Sequence, residues 1–109
     1  MEKCEVIARG IRFSIKKGDI EIAHAYLYVL RNDLHDQPFG LLEDVKVEEK
    51  YRSTGVGHEL VAMVISQARL EKCYKLIATS RDDGTRDSIH EWYVRLGFLD
   101  YGTEFRMNF

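Results

Sequence analysis

The densest candidate for chemistry in this 109-residue chain is the string Arg52-Ser53-Thr54-Gly55-Val56-Gly57. Glycines at this spacing let the backbone approach a ligand closely. If a helix opens here, its first amides have no intrahelical partner and point outward. Together they make an anion site suited to a phosphate or pyrophosphate. Arg52 adds a guanidinium able to clamp such a group through two parallel hydrogen bonds. Taken alone, the string also suits a strand-to-helix turn that needs two glycines. Two nucleotide-binding patterns fail: no GxxxxGK string occurs, and a GxGxxG fingerprint would need glycine where the chain has Leu60.

Such a turn works only if a strand leads into it and a helix leaves it, and the flanking sequence predicts both. Residues 54–70 place Val56, Leu60, Val61, Val64, Ile65 and Ala68 at helical spacing, one buried stripe. Residues 39–47 read as the strand before the turn. Upstream, β-branched and aromatic residues at intervals predict a strand over 4–16. Lys16-Lys17-Gly18-Asp19 reads as a turn. A second strand follows over 20–30, where Ile20, Ile22, His24, Tyr26, Tyr28 and Leu30 alternate. Residues 31–38 form a polar loop. Downstream, residues 74–79 are a short apolar run, most simply a buried strand. Residues 80–86 are polar, 87–96 predict a second helix ended by Gly97, and 98–109 read as one or two final strands. The order is β-β-β-α-β-α-β: antiparallel strands, then a β-α-β crossover, hence one α/β domain with a mixed, mostly antiparallel sheet and two helices.

Composition narrows the class. Hydrophobic residues at 45% and charged residues at 31%, with one proline, describe an ordinary soluble domain rather than a disordered chain. Sixteen Lys+Arg against eighteen Asp+Glu leave −2, so no basic field exists to hold nucleic acid non-specifically. No apolar run approaches the roughly 18–20 residues that span a bilayer, and the first residues carry no signal-peptide pattern. Cys4 and Cys73 form no metal-ligand spacing and are expected to be reduced thiols of a cytoplasmic protein, so no metal site is expected.

Two segments carry a resemblance. Gly40-Leu-Leu-Glu-Asp-Val-Lys-Val-Glu-Glu-Lys-Tyr-Arg-Ser-Thr-Gly-Val-Gly57 resembles the central motif of the GCN5-related N-acetyltransferases: a strand ending in Val, a short turn, then Arg or Gln, two residues, Gly, one residue and Gly or Ala opening a helix. Arg86-Asp-Ser-Ile-His-Glu-Trp-Tyr-Val-Arg-Leu-Gly-Phe98 is similar to the family's RxxAHxFYxxxGF helix, with Ile89 where Ala is usual and Trp92 where Phe is usual. The separation of the two segments also fits, and the resemblance covers roughly residues 20–109.

The resemblance implies the acyl-CoA N-acyltransferase fold and a role for each matching position. Backbone amides of Ser53, Thr54, Gly55, Val56 and Gly57, with Arg52, would hold the pyrophosphate of coenzyme A. Pantetheine would lie where the third and fourth strands splay apart, along Val45, Lys46 and Val47. An amide near Val45 would polarise the thioester carbonyl, an oxyanion-type contribution. Arg86 and His90 match positions beside the cofactor in the second motif. Glu43 stands where many members carry a general base, which an alkylammonium needs before it can attack a thioester. Regular alternation would put Glu43, Val45 and Val47 on one strand face and Asp44 on the other. Tyr93 matches the tyrosine that protonates the departing thiolate. The implied reaction is direct transfer of an acetyl group from acetyl-CoA to a primary amine through a tetrahedral intermediate, without an acetyl-enzyme. The closing Gly102-Thr-Glu-Phe-Arg-Met and the Gly-x-x-Glu-Asp pattern are similar to the amino-sugar phosphate branch of the family. The rival readings are a non-catalytic acyl-CoA-binding module and an interaction domain without cofactor.

Most members place a first strand and two helices before the antiparallel strands, which this sequence lacks. That leaves an open acceptor cleft suited to a bulky amine, a protein lysine or N-terminus, or a cleft closed by a second subunit. Exposed sheet edges favour a homodimer.

Overall fold

The computed structural model describes residues 1–81 and 84–109; Asp82 and Asp83, within the polar stretch read as a loop, lie outside the described residues. The chain forms two compact units, residues 1–78 and 79–109.

The first unit is a four-stranded sheet in the order β1-β2-β3-β4 with one helix. β1 (Arg9–Lys17), β2 (Ile20–Leu30) and β3 (Phe39–Val47) are antiparallel, and β4 (Leu76–Ala78) lies parallel to β3 after the helix α1 (Val56–Leu70). Residues 4–8 do not join β1. They are exposed throughout, because spaced apolar residues specify a strand only where a neighbouring strand offers a ladder. Gly18 takes φ 63° at the tight β1–β2 turn, as the sequence requires.

The core lies on one sheet face. Ala23, Ala25, Leu27 and Val29 of β2 and Leu42 of β3 are buried there, against Leu60, Val61, Val64 and Ala68 of α1. Small residues at 23 and 25 bring the helix close. Gly40 does the same between strands: a Cβ there would stand 2.9 Å from Leu76 Cδ1 and 3.0 Å from Leu27 Cδ1. β4 therefore hugs β3 only at Gly40, Leu41 and Leu42. Beyond Leu42 the β4-facing edge of β3 has no strand partner among the described residues.

The second unit holds α2 (Asp87–Arg95). Gly97, at φ 107°, ends it: Gly97 N donates to Val94 O at 3.0 Å and Phe98 N to Tyr93 O at 3.1 Å, the paired bonds of a Schellman cap. The final strands read over 98–109 are absent. Among the described residues no ladder pairs this segment, so its alternation is unmatched by any hydrogen-bonding neighbour.

On the sheet face away from α1, Arg12 of β1 binds Glu21 through two bonds of 2.5 and 2.9 Å and donates to Tyr26 Oη at 3.1 Å. The hydrogen bonds from Arg12 pull the Glu21 carboxyl down to about 2 from 4.5. A depressed carboxylate stabilises the fold fully above its unfolded value and loses that contribution as pH falls through the folded one. Glu21→Gln is therefore expected to lower the thermal midpoint above pH 5. Its deficit from the parent should shrink steadily between pH 4.5 and 2 in a pH series of melting curves. A deficit independent of pH would assign the effect to packing.

Candidate active site

Three local features of β3 and its exit build the site in the first unit. The first is a β-bulge. Tyr26 pairs with Glu43 and His24 with Lys46, so Asp44 and Val45 together face the single residue Ala25. Asp44 takes φ 51°, a left-handed conformation that Asp tolerates better than most residues. The bulge overturns the expected alternation. Leu42 pairs with Leu27 and Val47 with Ala23, both on the core face, whereas Glu43 and Lys46 share the other face with Tyr26 and His24. Glu43 and Val47 thus lie on opposite faces. Glu43 is half-buried, and its carboxylate forms no ion pair or hydrogen bond among the described residues. The exposed Lys46 ammonium sits 4.0 Å from Glu48.

The second feature is the free edge already described. From Glu43 to Val47 the β4-facing side of β3 has no strand partner among the described residues, so the main-chain groups of that side around Val45 are not spent on a ladder to β4.

The third is the helix entrance. After a short 3-10 turn (Glu49–Tyr51), Ser53 takes φ 62° and Gly55 φ 93°. Thr54 Oγ1 donates to Tyr51 O and pins the loop. Gly55 is the N-cap of α1, with no side-chain capping bond. The first intrahelical bond here is Glu59 N to Gly55 O at 3.0 Å, and the preceding amides of Val56, Gly57 and His58 have no capping partner among the described residues. Arg52 donates from Nε to Val47 O at 3.1 Å, which ties it to the end of β3 and leaves its terminal nitrogens without a partner among the described residues. An open edge that runs into uncapped amides beside a guanidinium fits a long ligand with a phosphate-bearing end. A Cβ at Gly55 would meet nothing within 4 Å, so contact with neighbouring atoms is not what calls for glycine here.

In the second unit Arg86 is the N-cap of α2 and its carbonyl accepts from Ile89 N and His90 N at 3.0 and 2.9 Å. His90 Nε2 lies 2.9 Å from Arg81 O. Tyr93 is half-buried, its ring edge-on to Phe98 at 5.4 Å. Cys73 is a half-buried thiol whose pKa is raised by burial and then by the Glu71 charge, as a packed rather than reactive cysteine requires. Sequence reading missed the bulge at Asp44 and the strained Ser53. The only signal for the first was an Asp in mid-strand, where that residue is uncommon. Among the described residues no helix is long and apolar enough to cross a membrane.

The profile of the acetyltransferase (GNAT) family matches residues 6–98. With the match extending over most of the sequence, the chain belongs to the GNAT family of acetyltransferases. Solved structures share the fold. A putative acetyltransferase from Agrobacterium tumefaciens superposes with a TM-score of 0.84 at 24% identity, over 91% of this chain and 68% of that one. An acetyltransferase from Trypanosoma brucei gives 0.79 at 23%, over 94% and 69%. Glucosamine-6-phosphate N-acetyltransferase from Arabidopsis thaliana gives 0.80 at 17%, over 92% and 67%. This chain therefore spans about two thirds of the length of each.

Proposed function

We propose that this chain binds acetyl-CoA and transfers its acetyl group to a primary amine. The observation that carries the reading is the continuous path from the unpaired edge of β3 to the uncapped start of α1. Main chain around Val45 and Val47 would align the pantetheine, and the amides of residues 53–57 with Arg52 would hold the pyrophosphate. The thioester supplies the activated acetyl group. Glu43, a carboxylate with no competing partner, would accept the proton that the ammonium must lose. Tyr93 would donate a proton to the leaving thiolate; a phenol is a weak acid in water but an adequate donor to a thiolate. The acceptor is a protein or peptide amine or an amino sugar.

Thermal stability measured in parallel with acetyl-CoA, coenzyme A, NAD and ATP tests this reading. At 100 times its dissociation constant a ligand adds about 2.7 kcal/mol. For a domain this small the midpoint should rise roughly 10 °C or more. A rise with both coenzyme A forms and neither nucleotide control is expected; no rise with saturating acetyl-CoA would sink the assignment.

A second measurement separates catalysis from binding. Tyr93→Phe is expected to lower kcat by about 10²-fold, the lower end of general-acid contributions, while leaving the acetyl-CoA-induced midpoint rise in place. Thiol release should be followed with a peptide amine and an amino sugar phosphate as acceptors. Unchanged turnover would remove Tyr93 from the mechanism. Binding without turnover on a wide amine panel would make the chain an acyl-CoA-binding module.

A further inference from the structure

The sheet face away from α1 carries a clamp that neither the fold nor the proposed activity explains. Tyr26 stands directly opposite Glu43 across the β2–β3 ladder. Cβ atoms in such a pair lie about 4.5–5.5 Å apart on one face. A phenol so placed is a ready hydrogen-bond donor for the carboxylate. It is turned the other way. Arg12, opposite Tyr26 on β1, donates from Nε to Tyr26 Oη at 3.1 Å, and its guanidinium carbon lies 5.7 Å from the ring centre. Arg12 is itself fixed by its two bonds to Glu21. Tyr28 leans the same way: a Cβ on Gly10, its β1 partner, would stand 3.1 Å from Tyr28 Cε1. The two tyrosine rings lie within 7° of parallel, their centres 6.1 Å apart, so each supports the other's tilt. His24 and Lys46, on this same face, each have a carboxylate nearby: His24 Nδ1 is 3.3 Å from Glu21 and Lys46 Nζ 4.0 Å from Glu48. The Glu43 carboxylate is left with no partner among the described residues.

We propose that Arg12 is a positioning residue for the acetyl transfer: by holding the Tyr26 hydroxyl over β1, it keeps the Glu43 carboxylate free to receive the acceptor ammonium. The inference rests on the reading of Glu43 as the base. A carboxylate that accepts a phenol's hydrogen bond is a weaker base, because the bond stabilises its charged form. The same bond must also break before an ammonium can dock. Arg12 and Glu43 thus compete for one hydroxyl. The guanidinium wins because Glu21 has already fixed it, so little side-chain freedom remains to be lost. Glu21, whose carboxyl the Arg12 bonds hold at about 2, stays ionised through the neutral range and keeps the clamp closed. Gly10 belongs to the same device, since a side chain there would push Tyr28, and Tyr26 stacked on it, back toward β3.

Two readouts on the full chain test this, one of them free of ligand. In nuclear magnetic resonance spectra without acetyl-CoA, Overhauser contacts of the Tyr26 ring should run to the Arg12 side chain in the parent. In Arg12→Met they should move to the Glu43 methylenes. Thiol release from acetyl-CoA is then followed with a lysine peptide and an amino sugar phosphate as acceptors. Arg12→Met should lower kcat/KM about tenfold or more, the scale of one hydrogen bond to a charged group. Tyr26→Phe alone should turn over like the parent. The double variant Arg12→Met/Tyr26→Phe has no hydroxyl to occupy Glu43 and should recover most of the loss. A merely structural clamp predicts the reverse, because the double variant lacks more contacts than the single one. Arg12→Lys guards against unfolding: its one ammonium serves Glu21 and releases Tyr26, so the same loss and the same recovery are expected. Unmoved ring contacts, unchanged turnover in both Arg12 variants, or a double variant no faster than the single one overturns the proposal while the transfer reading stands. A parent that binds no acetyl-CoA or acetylates no amine sinks that reading, and the role of Arg12 with it.

Discussion

A Gly55→Val variant is expected to stay folded and lose most of its affinity for coenzyme A. Gly55 sits at φ 93° at the N-cap of α1, with empty space where a side chain would go. The obstacle to substitution is therefore backbone conformation, not collision. A β-branched residue is a severe outlier in this region and costs about 1–3 kcal/mol if held there. A domain with roughly 5–15 kcal/mol of stability survives that. The loop relieves the strain by moving, and the amides it orients move with it. Losing one or two hydrogen bonds to a charged phosphate, each about 1.5–3 kcal/mol, weakens binding roughly 10–100-fold or more. Calorimetric titration with coenzyme A, beside circular dichroism to verify folding, measures both quantities. Parent-like affinity in a folded variant would show that the turn is structural and that the amides of α1 hold no phosphate.

Leu27→Ala should produce the largest loss of stability. Leu27 is fully buried at the centre of β2, paired with Leu42 and lying on the face that α1 covers. Removing a buried leucine costs about 2–5 kcal/mol, because lost transfer energy adds to an unfilled cavity. The thermal midpoint should fall roughly 10–20 °C. Leu70→Ala is the contrast: its side chain is 74% exposed at the end of α1, and the change should stay within about 0.5 kcal/mol. Melting curves of the three proteins decide the matter. Equal, small shifts in both variants would mean that the sheet–helix layer is not the cooperative core.

Legibility followed local periodicity. β2 and β3 are where alternation and turn residues placed them, because each is flanked by a partner strand and closed by Gly18 or the glycine turn. α1 follows from its apolar stripe and α2 from Gly97 at its cap. The loop at 52–57 was readable because positive φ and uncapped amides both demand particular residues. The bulge at Asp44 was not readable. A bulge is a mismatch between two strands, and no single strand's pattern contains it. It moves Glu43 and Val47 to opposite faces, which alternation alone would have put together.

The terminal segment shows the same division in another form. Its alternation predicts a strand, and a strand exists only with a ladder; residues 4–8 fall out of β1 on the same ground. By itself the sequence determined the element types between residues 9 and 97, the glycine turn and the chemistry its residues can perform, because dihedral preference, hydrophobic period and pKa are properties of short segments. Only the tertiary structure decided register, the side of the sheet each residue faces and where β4 parts from β3. Those depend on hydrogen bonds and packing between segments far apart in the chain, which local preference does not encode.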